Sequence, residues 1–169
     1  MAIHTKYILK IEITLRPTVL FGAIILTGLT AGLCFTWSNA VTPGLNRLDD
    51  FSFLKAFQSM NRAIINARFL IVFFGPVLLL FLNTYLFREN ETSFWLFLVA
   101  ALLFFIGVSL ITIFGNVPLN EILDKSNLNV LTDIELEELR NRFEDPWNKW
   151  HMTRTITSFS AFVLLILGM

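Results

Sequence analysis

The chain has 169 residues, 55% of them hydrophobic, with 18 phenylalanines, a mean hydropathy of +0.66 and a formal net charge of zero. Soluble domains average about 45–50% apolar residues, so the excess calls for a solvent other than water. The neutral balance lacks a Lys/Arg cluster and excludes a nucleic-acid partner; the single cysteine, Cys34, excludes an intrachain disulfide.

In chain order, residues 1–17 carry His4, Lys6, Lys10, Glu12 and Arg16 and read as a short juxtamembrane leader. Residues 18–40 then hold no charge and are long enough to cross roughly 30 Å of hydrocarbon. Their length and polar Trp37-Ser38-Asn39 end do not fit a cleavable signal peptide. Gly28 and Gly32 form a small-xxx-small pattern that permits close helix approach, within the bundle or between copies in an oligomer. Packing within the chain is the preferred reading, and Cys34 reads as packing too.

Residues 41–68 form a long loop with a helical signal of its own. Phe53, Phe57, Met60 and Ile64 recur at three- and four-residue spacing, with Gln58, Arg62 and Asn66 as a second row and Asn61 beside it. A second apolar run, 69–87, is interrupted only by Gly75-Pro76, Asn83 and Thr84. Arg88-Glu89-Asn90-Glu91 is a tight turn before the uncharged run 94–114, so these two spans are antiparallel neighbours. The two long loops, 41–68 and 115–153, then share one membrane face.

Asn116-Val117-Pro118-Leu119-Asn120 follows, where the chain is expected to leave the bilayer. An unpaired amide in hydrocarbon costs about 2–7 kcal/mol, so these amides are satisfied inside the protein or aimed at a guest. In the second loop, Thr132 and Glu135 have capping-box spacing. Glu138 and Arg142 form an i,i+4 pair on an acidic, solvated helix, and Pro146 is expected to break or kink it. The last span reaches sufficient length only if it starts near Trp150, which brings His151 and Arg154 into its first turns. The expectation is one all-α domain over residues 1–169, a membrane-embedded four-helix bundle with spans at about 18–40, 69–87, 94–114 and 150–169 and amphipathic helices in both long loops.

Four polar clusters fall on one face: Trp37/Ser38/Asn39, Gln58/Asn61/Arg62/Asn66, Asn116/Asn120, and Trp147/Trp150/His151/Arg154 at i, i+3, i+4, i+7. Singly, each has a bland explanation: amides pairing helix-end carbonyls, tryptophans in an interfacial belt, an arginine snorkelling to headgroups. Jointly they describe a one-sided polar and aromatic cavity, with Arg154 the charge best placed to enter the bundle. No metal-ligand spacing, CxxC pair or Gly-x-Ser-x-Gly elbow is present. Metal is therefore not expected, and any catalysis rests on positioning, desolvation and one general base.

Trp37-Ser38-Asn39-Ala40-Val41-Thr42-Pro43-Gly44-Leu45, Met60-Asn61-Arg62-Ala63-Ile64-Ile65-Asn66, Asn116-Val117-Pro118-Leu119-Asn120 and Trp147-(x2)-Trp150-(x3)-Arg154 resemble the anthrone oxygenase-like family. These are small four-span integral membrane proteins, many known only as a domain of unknown function. His151 departs from the pattern, which leads one to expect asparagine there. The resemblance implies a multi-pass protein of the bacterial inner membrane and a cofactor-independent oxygenase acting on an anthrone-like aromatic or other lipophilic molecule. In that role His151 is the candidate base, and Arg154, Asn116 and Asn120 stabilise an enolate oxygen. Trp147 and Trp150 stack on the ring, and Trp37, Asn39, Asn61 and Asn66 complete the substrate-binding set. The competing reading is a non-enzymatic lipid- or quinone-binding module or an accessory subunit; a transporter ranks last for want of mid-membrane charge.

Overall fold

The computed structural model describes the backbone of residues 2–169 and the side chains of residues 15–169. The leader side chains His4, Lys6, Lys10 and Glu12 lie outside the described residues. The described backbone is helical, with no strand. Helix α1 (Ala2–Thr36) passes through a π-helical turn, Trp37–Val41, into α2 (Thr42–Leu45). Helix α3 (Asp50–Ile64) begins where Asp49 accepts from the Ser52 amide at 2.9 Å, a bond that holds the carboxyl below its ordinary range. Asn66 caps α4 (Ala67–Leu86) by accepting from the Phe69 amide at 3.1 Å. It therefore terminates one helix and starts the next instead of extending the polar row of α3. Asn90 caps α5 (Glu91–Phe104) after the expected tight turn.

Two expected interruptions are absent. Beyond α5 the helix continues through π segments Phe105–Leu110 and Thr112–Asn116 into α6 (Val117–Lys125), so the asparagine-proline stretch does not end it. Pro118 falls where the second π segment gives way to α6, a junction at which the change from i→i−5 to i→i−4 bonding already interrupts the backbone ladder. Helix α7 (Asp133–Leu167) starts at a complete Thr132/Glu135 capping box and runs unbroken through Pro146. Proline in a helix interior costs about 3 kcal/mol. Here burial of Phe143 and Trp147 on either side of it offsets that cost by fixing both halves in one core. Among the described residues Glu138 and Arg142 form no ion pair; the i,i+4 pair of this helix is Arg140–Glu144, at 2.7 Å.

Four helical runs are long and apolar enough to cross a membrane: Leu15–Leu45, Ala67–Leu86, Glu91–Lys125 and Asp133–Leu167. Their packing is cyclic, with α1 and α5 each lying against both α4 and α7. Inside is a core of Leu20, Phe73, Leu80, Phe97, Phe104 and Leu165, with alanines 23, 100, 101 and 161 at the close approaches. Gly75, Gly107 and Gly168 mark equally close approaches: a Cβ at each would fall 2.5 Å from the side chain of Leu26, Thr157 and Phe97 respectively. Outside, Phe21, Ile71, Leu78, Trp95 and Phe159 are exposed, as a lipid-facing surface requires. Gly28 lies against Phe162, consistent with packing within the chain, whereas a Cβ at Gly32 would meet nothing within 4 Å.

A second core caps one end of the bundle. Phe53, Leu54 and Phe57 of α3 pack with Leu123, Leu128, Leu136, Leu139, Phe143 and Trp147, so the two long loops fold together on one face. Arg140 fastens this cap. Its guanidinium reaches Glu144, Asp50 (2.9 Å), the Leu48 carbonyl (2.9 Å) and Asn46 (2.7 Å to Oδ1), and lies 4.3 Å from the Phe53 ring centroid. A largely buried charge with every partner supplied holds its geometry at little net cost.

Candidate functional site

A cavity of about 320 Å³ lies between the two cores. That is the lower end of the range of small-molecule pockets. Helix α1 contributes Thr30 and Cys34 and the π turn after it Trp37, and α4 contributes Phe69, Val72 and Phe73. Asn61, Arg62, Ile64 and Ile65 close it from the end of α3, and Thr112, Asn120, Glu121 and Asp124 from the third span. Trp147, His151 and Arg154 complete the wall. The last three share a face of α7 because positions i, i+4 and i+7 return to one side of a 3.6-residue helix.

Asn116 and Asn120 act first on Trp147. Asn116 Nδ2 donates to the Trp147 carbonyl at 3.1 Å, and Trp147 Nε1 donates to Asn120 Oδ1 at 2.8 Å. The indole is thus fixed through both its backbone and its ring. With its oxygen committed, the Asn120 amide presents its NH2 as the free end of a residue that lines the cavity. Trp147 in turn stacks on His151, with centroids 4.7 Å apart and planes 15° from parallel. Trp37 stands 5.6 Å from Trp147 and 6.3 Å from His151.

His151 is held at both ring nitrogens. Arg154 Nη2 lies 2.6 Å from Nδ1 and the Cys34 carbonyl lies 3.0 Å from Nε2. A guanidinium only donates and a carbonyl only accepts, so the tautomer that satisfies both bonds carries its proton on Nε2. The accepting carbonyl stands just before the π turn at Trp37–Val41, where the shift from i→i−4 to i→i−5 bonding disturbs the backbone ladder. Arg154 also donates from Nη1 to Thr112 Oγ1 at 3.1 Å, and its carbon centre lies 5.5 Å from the Trp147 ring. Its Nε is buried without a partner, and no carboxylate pairs with it among the described residues.

Six of the ten expected site residues thus meet around one cavity: Trp37, Asn61, Asn120, Trp147, His151 and Arg154. The other four stand elsewhere. Asn116 is 1% exposed and serves as the Trp147 clamp. Asn39 is exposed on the π turn, and Asn66 is the exposed cap of α4. Trp150 lies over Gly115, where a Cβ would fall 2.8 Å from its Cγ, and is 44% exposed. Sequence reasoning did not single out Thr112, although it precedes Asn116 by four residues and so shares its helical face. Nor did it foresee the Arg62–Asp124 ion pair, 2.5 Å from Nε to Oδ1, which joins α3 to α6 beside the cavity.

Residues 60–164 match the family model of the anthrone oxygenases, well over half of the chain. The chain belongs to the anthrone oxygenase family. The matched segment contains every α3, α6 and α7 residue of the site, and leaves out Thr30, Leu33, Cys34 and Trp37. No curated protein and no solved structure matches the chain. Four apolar helices of spanning length make this member a multi-pass membrane protein.

Proposed function

We propose that the protein is a cofactor-independent oxygenase of a flat, lipophilic, anthrone-like substrate, embedded in a bacterial inner membrane. The observation that carries this reading is Arg154, a guanidinium at a largely aromatic and aliphatic cavity that forms no ion pair among the described residues, the two carboxylates of the wall, Asp124 and Glu121, being paired with Arg62 and Lys125 instead. An uncompensated charge in such surroundings is costly, and a guest that develops negative charge on oxygen removes the cost. An anthrone does so when it loses a proton from its central methylene to give the enolate.

His151 is the proton acceptor in this scheme. Its Nδ1 lone pair is engaged by Arg154 and is released when the guanidinium turns to the enolate oxygen, so deprotonation and anion binding are coupled. The enolate then reduces dioxygen, and a new C–O bond forms at the former methylene carbon. The peroxide takes the proton back from His151, and loss of water leaves the carbonyl. In sum, CH2 and O2 become C=O and H2O, with dioxygen as the oxidant. Trp147 and Trp37 supply ring faces, and Arg154 and the Asn120 NH2 supply donors preorganised for the anion.

Oxygen uptake by the purified full chain in nanodiscs, with anthrone as substrate, tests the reading. Arg154→Ala should lower the rate about 10²–10³-fold, as loss of a preorganised donor does, while the helical spectrum stays unchanged. Turnover equal to the unmodified protein overturns the assignment. His151→Asn should slow the reaction by roughly 10²–10⁴-fold if the imidazole takes the proton; an unchanged rate removes it from that role. A lipid or quinone recovered from the purified protein, with no oxygen uptake, would favour the non-enzymatic binding module.

A further inference from the structure

Arg154 makes two of its contacts on its own helix, to His151 at 2.6 Å and to the Trp147 ring at 5.5 Å. Thr112 supplies the hydrogen bond that ties the guanidinium to a different span, 3.1 Å from Nη1 to Oγ1, and both residues line the cavity. The polarity of that bond is fixed. Thr112 Oγ1 donates its single proton to the Val108 carbonyl, one turn back, at 2.7 Å. The hydroxyl therefore meets Arg154 with lone pairs only. Thr112 opens the second π segment, and Asn116 at the end of that segment bonds the Trp147 carbonyl. The third span thus grips α7 at two levels, once through backbone and once through the charged side chain.

In the proposed reaction Nη2 gives up His151 and turns to an anionic oxygen. An arginine released from its own helix has many rotamers, and its long stem lets the charge snorkel away from the site. We propose that Thr112 is the positioning residue that pins Nη1 across the cavity while Nη2 exchanges His151 for the guest. Each terminal nitrogen of a guanidinium carries two N–H groups, so Arg154 keeps Thr112 and receives the oxygen at the same time. Without that anchor the guest has to order the side chain as it binds, which costs about 2- to 12-fold in affinity for one rotamer-rich side chain. The proposal rests on the oxygenase reading for the anionic character of the guest; the bond between Thr112 and Arg154 stands on geometry alone.

The test uses the full chain in nanodiscs with two probes of one shape, anthracene-9-carboxylate and the neutral anthracene-9-carboxamide. Binding is read from quenching of tryptophan fluorescence, since Trp37 and Trp147 line the cavity. The unmodified protein should prefer the carboxylate, and Arg154→Ala should erase that preference. Thr112→Val removes the hydroxyl at nearly constant volume. It should lower the preference about 2- to 12-fold and leave carboxamide binding as it was. Thr112→Ser keeps the hydroxyl and should restore the preference. A merely structural threonine would weaken both probes alike; that result overturns the proposal, as does a serine variant that behaves like the valine one. If Thr112→Val does not fold, Thr112→Ala takes its place against Thr112→Ser. Oxygen uptake gives a second readout, because anthrone binds neutral and becomes anionic only in turnover. Thr112→Val should lower kcat by a similar factor at constant KM, and a raised KM at constant kcat overturns the positioning role. Carboxylate preference that depends on Arg154 and Thr112, without oxygen uptake, sinks the oxygenase reading and leaves Thr112 in place. Uptake that responds to Arg154→Ala but not to Thr112→Val overturns Thr112 alone. An unmodified protein that binds both probes equally, or neither, overturns both.

Discussion

The two cores of this protein solve the same packing problem in different solvents. Between the four spans, the core is mainly apolar, with Thr27, Asn83, Ser109 and Ser158 also buried, and relies on close approach, with Ala100, Ala101 and Ala161 fully buried and Gly107 against Thr157. Lipid tails are as apolar as leucine, so burial there gains little from water exclusion, and fit decides. The cap faces water and behaves like a small soluble domain. Aromatic rings of Phe53, Phe57, Phe143 and Trp147 meet edge-on or tilted at 4.8–6.5 Å, under the hydrogen-bonded lid of Arg140. The site occupies the seam between them. Trp147 belongs to the cap core, His151 stacks on it, and Arg154 reaches Thr112 of the third span. Arg154 is thereby held from both sides, by His151 stacked on the cap core and by Thr112 of the third span.

This difference predicts how each half fails. Phe57→Ala should cost about 3–5 kcal/mol, the range for a fully buried phenylalanine. The loss should appear as melting of α3 and freeing of Trp147, with the four spans still inserted. Simultaneous loss of the spans would show that the cores are one cooperative unit. Gly107→Ala probes the other half: overpacking against Thr157 should destabilise the bundle by about 1–3 kcal/mol. Gly32→Ala, in open space, should be silent in the monomer, so a change in oligomeric mass on that substitution would assign Gly32 to contacts between copies. Thr132→Ala removes a helix cap and should cost about 1 kcal/mol, measurable as fraying of the first turn of α7 by hydrogen exchange.

The smallest expected effect is acid sensitivity at Asp49. Its folded pKa is depressed by the Ser52 amide, so the cap contribution is present above the unfolded value of 3.8 and lost as pH falls through the lower folded value. Helix α3 should be insensitive to pH between 5 and 8 and loosen slightly in strong acid. Asp49→Ala should abolish that response, and an unaltered acid transition in the variant would assign it to another group.

Periodicity and length alone determined the four spans, the tight turn at Arg88–Glu91, the amphipathic α3 and the capping box at Thr132, because these depend on local hydrogen bonding and on the width of a bilayer. The i, i+4, i+7 spacing likewise placed Trp147, His151 and Arg154 on one face. Only tertiary structure decided the rest. Pro118 and Pro146 look like helix breakers in isolation, but one sits where a π segment gives way to α6 and the other is overruled by the core around it. Asn116 and Asn120 read as amides either satisfied inside the protein or aimed at a guest; both bond Trp147, and Asn120 lines the cavity as well, because an amide bonds whatever the fold brings within reach. Asn66 and Trp150 left the site for the same reason: residue type reports what a side chain can do, whereas its neighbours, contributed from distant parts of the chain, fix what it does.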